Sequence, residues 1–225
     1  MALLLNVETA TTNCSVAVSK DGKTTALKED SRNGYSHAEK LHVFIDEALK
    51  IGKVDKTELD AIAISKGPGS YTGLRIGVST AKGLSFALDK PLISVLTLEA
   101  LALKVEAESG VIVPMLDARR MEVYSAIFDW NYNPLRETQA QILDEKSFSD
   151  YLEKGKVYFI GNGVAKTKEI ISHPNAVFVE NKLPSANEMG LLADRKYHSG
   201  DFEDVAYFEP YYLKDFVAIK PKPRT

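Results

Sequence analysis

An uninterrupted apolar run from Ala61 to Ile64 leads directly into a glycine-rich segment, Gly67-Pro68-Gly69-Ser70-Tyr71-Thr72-Gly73. Consecutive apolar residues before a loop are typical of a strand covered on both faces, because a half-exposed strand would alternate with polar residues. After the loop, a helix is predicted to extend to near Leu88. A buried strand, a loop and a helix in succession indicate an α/β fold, in which helices cover the sheet.

The first half of the chain is predicted to form one unit, residues 1–107, with the order β-β-β-α-β-α-β-α. Asp21-Gly22 supplies the residues of a hairpin turn between the second and third strands. A capping box formed by Ser36 and Glu39 predicts the start of the first helix. The first three strands are predicted at Leu3 to Glu8, Cys14 to Ser19 and Lys23 to Lys28. The last helix of this unit is predicted at Thr97 to Glu106.

A second unit, residues 108–225, is predicted to start with a strand at Val111. Its last helix is predicted from Ser185 to His198. The tail from Lys220 to Thr225 is rich in proline and charge, and we expect it to be mobile. Both units open with an apolar strand followed by an acid, Glu8 in the first and Asp117 in the second.

The composition indicates a soluble globular protein, with 44% hydrophobic and 26% charged residues in 225 positions. The net charge of −3 argues against a protein that grips a nucleic-acid backbone alone, because such proteins usually carry a basic face. Cys14 is the single cysteine, so no internal disulfide can form, and an intracellular setting is expected. Without a signal peptide or a membrane-spanning stretch, we expect a cytoplasmic protein.

The glycine-rich segment leaves two structural interpretations open. Glycines before a helix can cradle a phosphate, but no Gly-Lys-Ser/Thr follows, and Pro68 removes one amide donor. Small residues also recur on one side of the following helix, where they let another element approach closely. That stripe either packs inside the unit or docks a second protein; it consists of Gly73, Gly77, Ala81 and Ser85.

The chain shows no convincing catalytic or metal-ligating set. His37 and His42 are five residues apart, which places them about 140° apart on a helix, too far to share one ion. No nucleophile elbow is present. The loop Asp117-Ala118-Arg119-Arg120 is either a solvated turn or a loop facing a cleft, where it would meet a nucleotide or a partner.

Several segments together resemble the TsaB (YeaZ) family. They are Gly67 to Gly77, Asp117 to Tyr124, Gly161-Asn162-Gly163 and Pro210 to Leu213, in that order. Glu8-Thr9-Ala10 departs from the family's commoner Asp-Thr-Ser. The resemblance implies a two-domain fold of the actin, sugar kinase and Hsp70 class (ribonuclease H-like), with a nucleotide-type cleft. The implied cleft residues are Glu8, Thr9, Gly67, Pro68, Gly69, Arg75, Asp117, Arg119, Gly161 and Gly163.

The resemblance also implies kinship with TsaD, the catalytic subunit that transfers the threonylcarbamoyl group to adenosine in tRNA. TsaD-like chains bind a metal through two histidines, which correspond here to Thr97 and Leu101, and through an aspartate, which corresponds to Ala186. Leucine and alanine offer no donor atom for a metal ion, and a neutral threonine hydroxyl is a weak ligand. The resemblance therefore implies a non-catalytic partner protein, with no catalytic residue, no metal and no required cofactor.

The expected partners are a TsaD-like subunit and a TsaE-like ATPase, with tRNA reached only through the complex and ATP or ADP at the complex interface. Isolated copies are expected to form a homodimer. The alternative is a small active kinase or phosphotransferase of the same fold, with Glu8 and Asp117 as its acids. The predicted partner interface consists of Gly73, Gly77, Ala81, Ser85, His37 and Leu41.

Overall fold

Two five-stranded sheets of the same topology form the framework of the computed structural model, which describes residues 1–31 and 36–214. In each sheet, three strands form an antiparallel meander, and two further strands pair in parallel beside the first of them. The strand order is β3-β2-β1-β4-β5 in one sheet and β10-β9-β6-β7-β8 in the other. The two halves therefore repeat one folding pattern.

The first sheet contains β1 (Leu3–Glu8), β2 (Cys14–Lys20), β3 (Lys23–Asp30), β4 (Ala61–Gly67) and β5 (Leu92–Leu96). The second contains β6 (Val111–Asp117), β7 (Glu122–Asp129), β8 (Pro134–Ile142), β9 (Val157–Ile160) and β10 (Ala176–Val179). The helices are α1 (His37–Gly52), α2 (Tyr71–Leu88), α3 (Thr97–Ala102), α4 (Ser149–Leu152), α5 (Val164–Ile170) and α6 (Ala186–Ser199).

The apolar run from Ala61 to Ile64 is confirmed as a strand covered on both faces. All four residues from Ala61 to Ile64 are buried in β4. Ile62 and Ile64 pack into the core beneath α1 and α2, whereas Ala61 and Ala63 pack into the core on the opposite face. Helices therefore lie on both sides of the first sheet, as the unbroken apolar pattern predicts.

Two details of the first unit were predicted wrongly. The capping box at Ser36 does not form: its φ of −115° and ψ of 19° are not the extended geometry of a cap, and its side chain makes no capping hydrogen bond. Helix α3 ends at Ala102 rather than near Glu106. Val105, just beyond the end of the helix, still packs in the core of the second sheet together with Leu101.

Helix α6 lies where the sequence does not predict it. The sequence assigns Ser185 to His198 to the second unit, but the helix packs on the first sheet. Its buried residues Met189 and Ala193 share a core with Ala61 and Ile93. The chain thus returns to cover the free face of the first sheet, which would otherwise expose apolar residues to water.

Two further expectations concern the C-terminal tail and membrane-spanning helices. The tail from Lys220 to Thr225, expected to be mobile, lies outside the described residues. Within residues 1–31 and 36–214, no helix combines the length and apolar composition that crossing a membrane requires.

Candidate functional site

The glycine-rich segment packs tightly against the loop that follows β1. A Cβ atom on Gly69 would lie 2.4 Å from the carbonyl oxygen of Ala10, and one on Gly73 would lie 2.2 Å from that of Thr9. On Gly77 it would lie 2.2 Å from Thr9 Oγ1. These glycines are therefore required by the close approach of residues 9–10 inside the first unit, one of the two roles that the sequence left open.

The same contacts argue against a phosphate cradle at this loop. The amide of Ser70 donates to the carbonyl oxygen of Ala10 at 2.7 Å, and the amide of Gly73 donates to Ser70 Oγ at 3.3 Å. The Gly67-Pro68 bond is cis, and Pro68 has no amide hydrogen. Amides engaged within the chain leave few donors for a phosphate, so these residues do not fit a nucleotide held in the manner of a P-loop.

The predicted partner interface is wrong in its choice of helix side. Gly73, Gly77, Ala81 and Ser85 are buried in α2. His37 and Leu41 are buried in α1, where His37 Nε2 lies 2.7 Å from the carbonyl oxygen of Thr11. The small stripe faces the sheet because its glycines admit the loop after β1, so none of the six residues is available to a second protein.

The exposed side of the same two helices was missed. We call this surface the outer helix face; it consists of His42 and Val43 on α1 and Ser79, Gly83 and Phe86 on α2. Val43 is 50% exposed and Phe86 is 84% exposed. A Cβ on Gly83 would meet nothing within 4 Å, so no contact inside the chain requires a glycine there.

A shallow cavity of about 180 Å³ lies between α1 and α2. Leu49, Leu84 and Leu88 contribute apolar walls, and His42 and Asp46 contribute polar ones. The sequence contained a signal for the outer helix face, because it has further small residues on the side of α2 opposite the buried stripe. Ser79 and Gly83 lie about 160–200° around the helix from Ala81. A stripe of small residues on each side of α2 makes the buried side hard to distinguish from sequence alone.

Glu8 lies at the end of β1 and is fully buried. Its Oε1 accepts a hydrogen bond from the amide of Ala10 at 2.6 Å. Burial raises the pKa of the Glu8 carboxyl to about 7, although the neighbouring Ser65 hydroxyl and the positive charge of Lys104 oppose the shift. Because the Glu8 carboxyl is fully buried, its protonation state affects the stability of the fold.

We expect Glu8→Gln to remove a pH dependence of folding. Because the folded-state pKa lies above the unfolded value, stability from protonated Glu8 is present below about pH 4.5 and is lost as pH rises to about 7. The loss amounts to about 3 kcal/mol. Urea unfolding at pH 5 and pH 8 should show this fall in the parent and a much smaller one in Glu8→Gln.

The exposed Glu108→Gln serves as the matched control, since it removes a carboxyl from the surface. It should keep the parent's pH dependence. Equal pH dependence in Glu8→Gln and the parent would contradict the assignment of the raised pKa to Glu8.

The second pair of predicted motifs comes together at the end of β6. The amide of Asp117 donates to Asn162 Oδ1 at 2.9 Å, which joins the aspartate loop to the turn Gly161-Asn162-Gly163. Gly161 has a φ of +114°, and a Cβ there would lie 2.1 Å from the carbonyl oxygen of Met115. As at the first loop, the glycine is required by packing within the chain.

Arg75, another predicted cleft residue, lies on the exposed side of α2. Its guanidinium stacks over the ring of Tyr71 at 4.5 Å. The ring of Tyr71 in turn lies 5.0 Å from that of Tyr212, so the C-terminal segment packs on the start of α2. This arrangement fixes the position of Arg75 on the surface of the first unit.

A cavity of about 410 Å³ lies between the two units. The first unit contributes Lys66, Leu96 and Glu99, and the second contributes Ala126 and Phe128 among others. Burial raises the pKa of the Glu99 carboxyl. Glu8, the glycine loops and Asp117 do not line this cavity, so the predicted cleft residues do not converge on it.

Comparison with known proteins identifies the family. Residues 32–222 match the family model described as TsaD, tRNA N6-adenosine threonylcarbamoyltransferase. The tRNA threonylcarbamoyladenosine biosynthesis protein TsaB of Escherichia coli (strain K12) is 29% identical over 229 residues, covering 98% of each chain. The structure of YeaZ from Pseudomonas aeruginosa is 26% identical, with a TM-score of 0.77 over 95% of this chain and 100% of that one. The chain belongs to the TsaB (YeaZ) group of the TsaD family.

Membership in the TsaB group connects the chain with threonylcarbamoyladenosine biosynthesis in tRNA. The α/β two-domain fold of the actin, sugar kinase and Hsp70 class is confirmed. The activator of 2-hydroxyisocaproyl-CoA dehydratase from Clostridium difficile, with bound ADPNP, shares this fold at 11% identity, with a TM-score of 0.50 over 88% of this chain and 97% of that one. These comparisons do not favour the alternative of a small kinase.

In this TsaB-group chain, the three residues that the family resemblance places at the transferase's metal ligands are all fully buried. Thr97 Oγ1 lies 2.6 Å from Ser65 Oγ, and Leu101 belongs to the core of the second sheet. Ala186, the first residue of α6, packs in the core between that helix and the first sheet. Among residues 1–31 and 36–214, no group of three histidine, cysteine or acidic side chains is placed to hold a metal ion. The expected absence of a bound metal stays a prediction for metal analysis of the purified protein.

Proposed function

We propose that the chain is a non-catalytic partner of a TsaD-type transferase subunit, and that it docks on that subunit through the outer helix face. The observation that carries the proposal is Phe86, 84% exposed beside the open Gly83. Covering a phenylalanine ring removes apolar surface from water. A glycine inside a helix costs about 1 kcal/mol relative to alanine. Phe86 offers apolar surface to a partner, and Gly83, which no contact inside the chain requires, lets a partner approach this side of α2 closely.

The positions of the transferase's metal ligands support the non-catalytic part of the proposal. Leu101 and Ala186 have no donor atom, and the hydroxyl of Thr97 is engaged with Ser65. A divalent ion would have to displace apolar packing to enter such a place. The framework shared with the transferase is, in this proposal, retained for binding.

The proposed assembly is cytoplasmic and also contains a TsaE-like ATPase. The chain binds tRNA tightly only within that assembly, since its net charge of −3 does not favour a polyanion. The chain itself requires no cofactor, and ATP or ADP is bound at the interface with the partners. In the absence of partners, two copies cover their outer helix faces by pairing with each other.

Sedimentation velocity of the chain, a TsaD-type subunit and their equimolar mixture tests this proposal. We expect the chain alone to sediment as a homodimer and the mixture to contain a heterodimer at the expense of the homodimer, because both species use the same face. A mixture in which the two proteins sediment independently at micromolar concentration would contradict the proposal.

A further inference from the structure

The hairpin between β6 and β7 has an unusual tip. Arg119 has a φ of +69° and Arg120 a φ of +49°, so two successive residues with full side chains adopt the left-handed region. Asparagine and glycine are the usual residues in such turns, because other L-residues lose roughly 1–2 kcal/mol there. The chain therefore places two arginines where the backbone favours smaller residues.

Lys166 of α5 holds this tip in place. Its side chain is 15% exposed, and its Nζ lies 2.6 Å from Asp117 Oδ1. The same Nζ donates to the carbonyl oxygens of Arg120 at 2.6 Å and Glu122 at 3.0 Å. Asp117 Oδ1 also accepts the amide of Arg119 at 2.7 Å. These four bonds hold the loop in the conformation that presents the two arginine side chains.

The arginine side chains themselves are free of such contacts. Both residues are exposed, and within residues 1–31 and 36–214 neither guanidinium makes an ion pair or a hydrogen bond. The acids beside them are neutralised by other cations, Asp117 by Lys166 and Glu122 by Lys214. The tip thus carries two uncompensated positive charges, opposite in sign to the chain's net charge of −3.

The shape of the tip indicates which anion it fits. A nucleotide needs a concave site with walls around its base and phosphates, whereas these arginines project from the end of a hairpin. Guanidinium groups bind phosphate oxygens through two parallel hydrogen bonds. Adjacent arginines on a convex surface suit successive phosphate groups of an extended chain.

We propose that Arg119 and Arg120 contact the phosphodiester backbone of the RNA substrate within the assembly. The proposal rests on the proposed function for the identity of the RNA, and it adds a direct contact from this chain. Backbone contacts of this kind position the RNA without reading its sequence. Because the chain is acidic overall, the contact orients an RNA that the partners hold more tightly.

Two experiments decide the proposal independently of each other. In the first, the free chain labelled with ¹⁵N at arginine is titrated with a tRNA anticodon stem-loop, and in parallel with ATP and with a polyglutamate peptide. We expect the side-chain signals of Arg119 and Arg120 to shift with the RNA at millimolar affinity. Shifts with polyglutamate but not RNA would assign the tip to an acidic protein, and no shift with RNA would overturn the proposal.

In the second, tRNA binding to the assembled complex is measured by fluorescence anisotropy at several salt concentrations. The double variant Arg119→Gln/Arg120→Gln should bind about 10-fold more weakly, and the slope of log affinity against log salt should fall by about 1–2. The variant Arg119→Lys/Arg120→Lys should recover part of the affinity, because it keeps the charges but loses the paired hydrogen bonds of the guanidinium groups. Binding unchanged in the glutamine variant would overturn the proposal and leave the accessory function intact.

The matched control is Lys20→Gln/Lys23→Gln. These two exposed lysines flank another hairpin tip, between β2 and β3, so the change in net charge is the same. The control should lower tRNA affinity less than 2-fold. An equal loss in both double variants would show a general charge effect and contradict a contact at Arg119 and Arg120. Failure of the complex to assemble counts against the proposed function, and the titration of the free chain then decides this proposal.

Discussion

Phe86→Lys is expected to weaken association with the transferase subunit at least ~100-fold, which corresponds to about 3 kcal/mol. The ring of Phe86 is 84% exposed in the free chain, so binding would bury almost all of it. A lysine at that position would place an unpaired charge in the interface, which is costly to desolvate. Association measured by isothermal titration calorimetry gives the affinities of the parent and the variant.

The free chain should tolerate the change. Phe86 lies in the last turn of α2, where a positive charge interacts favourably with the helix dipole. At protein concentrations low enough for both proteins to be monomeric, the unfolding midpoint of the variant should therefore match that of the parent. The control Ile142→Lys alters an apolar side chain that is 73% exposed on β8, in the other unit, and should leave association unchanged. Normal association of Phe86→Lys would show that the partner covers another surface.

Gly73→Ala is expected to destabilise the fold by about 2–4 kcal/mol. The new Cβ would lie 2.2 Å from the carbonyl oxygen of Thr9, a backbone atom that cannot rotate away. Separating the helix from the loop would also stretch the hydrogen bond from Thr9 Oγ1 to the carbonyl oxygen of Gly73, now 2.9 Å. Equilibrium unfolding in urea measures the change in the free energy of unfolding.

Gly83→Ala makes the same chemical change ten residues later on the same helix. Its Cβ would meet nothing within 4 Å, so the higher helix propensity of alanine should raise stability by about 1 kcal/mol. The two variants should thus move in opposite directions. Equal effects would contradict the conclusion that the stripe beginning at Gly73 packs internally while the side of Gly83 is open.

The sequence predicts the strands well where the apolar pattern is dense. Strand β1 has the predicted bounds, Leu3 to Glu8, and the turn at Asp21-Gly22 forms with positive φ at both residues. Cys14 is buried with Val16 and Val18, as their alternation predicts. In each case the local pattern of residues is sufficient, so no tertiary contact has to be known.

The failures depend on contacts between distant segments. Ser36 has the residue spacing of a cap, but its backbone is not extended. Nothing in the sequence of α6 distinguishes packing on the first sheet from packing on the second, because its apolar stripe would fit either. The small stripe of α2 gave the right residues for a close approach, but the approaching segment is the loop after β1 rather than a partner.

The loops at the end of β6 show the same dependence on contacts between distant segments. The sequence identified Asp117 and Gly161, and the structure joins their loops through Asn162. The bracing of the hairpin tip by Lys166 was missed, because a lysine in a short helix far along the chain carries no local signal. The left-handed backbone at Arg119 and Arg120 also has no sequence signature, since arginine is uncommon in that region.

The most direct test of the account is formation of threonylcarbamoyladenosine on tRNA in a defined mixture. The mixture contains the TsaD-type transferase, the TsaE-like ATPase and the enzyme that makes threonylcarbamoyl-adenylate, with or without this chain, and the modified nucleoside is quantified by mass spectrometry. We predict modification only when the chain is present, and loss of that effect with Phe86→Lys. Equal modification with and without the chain would contradict its role as a required partner.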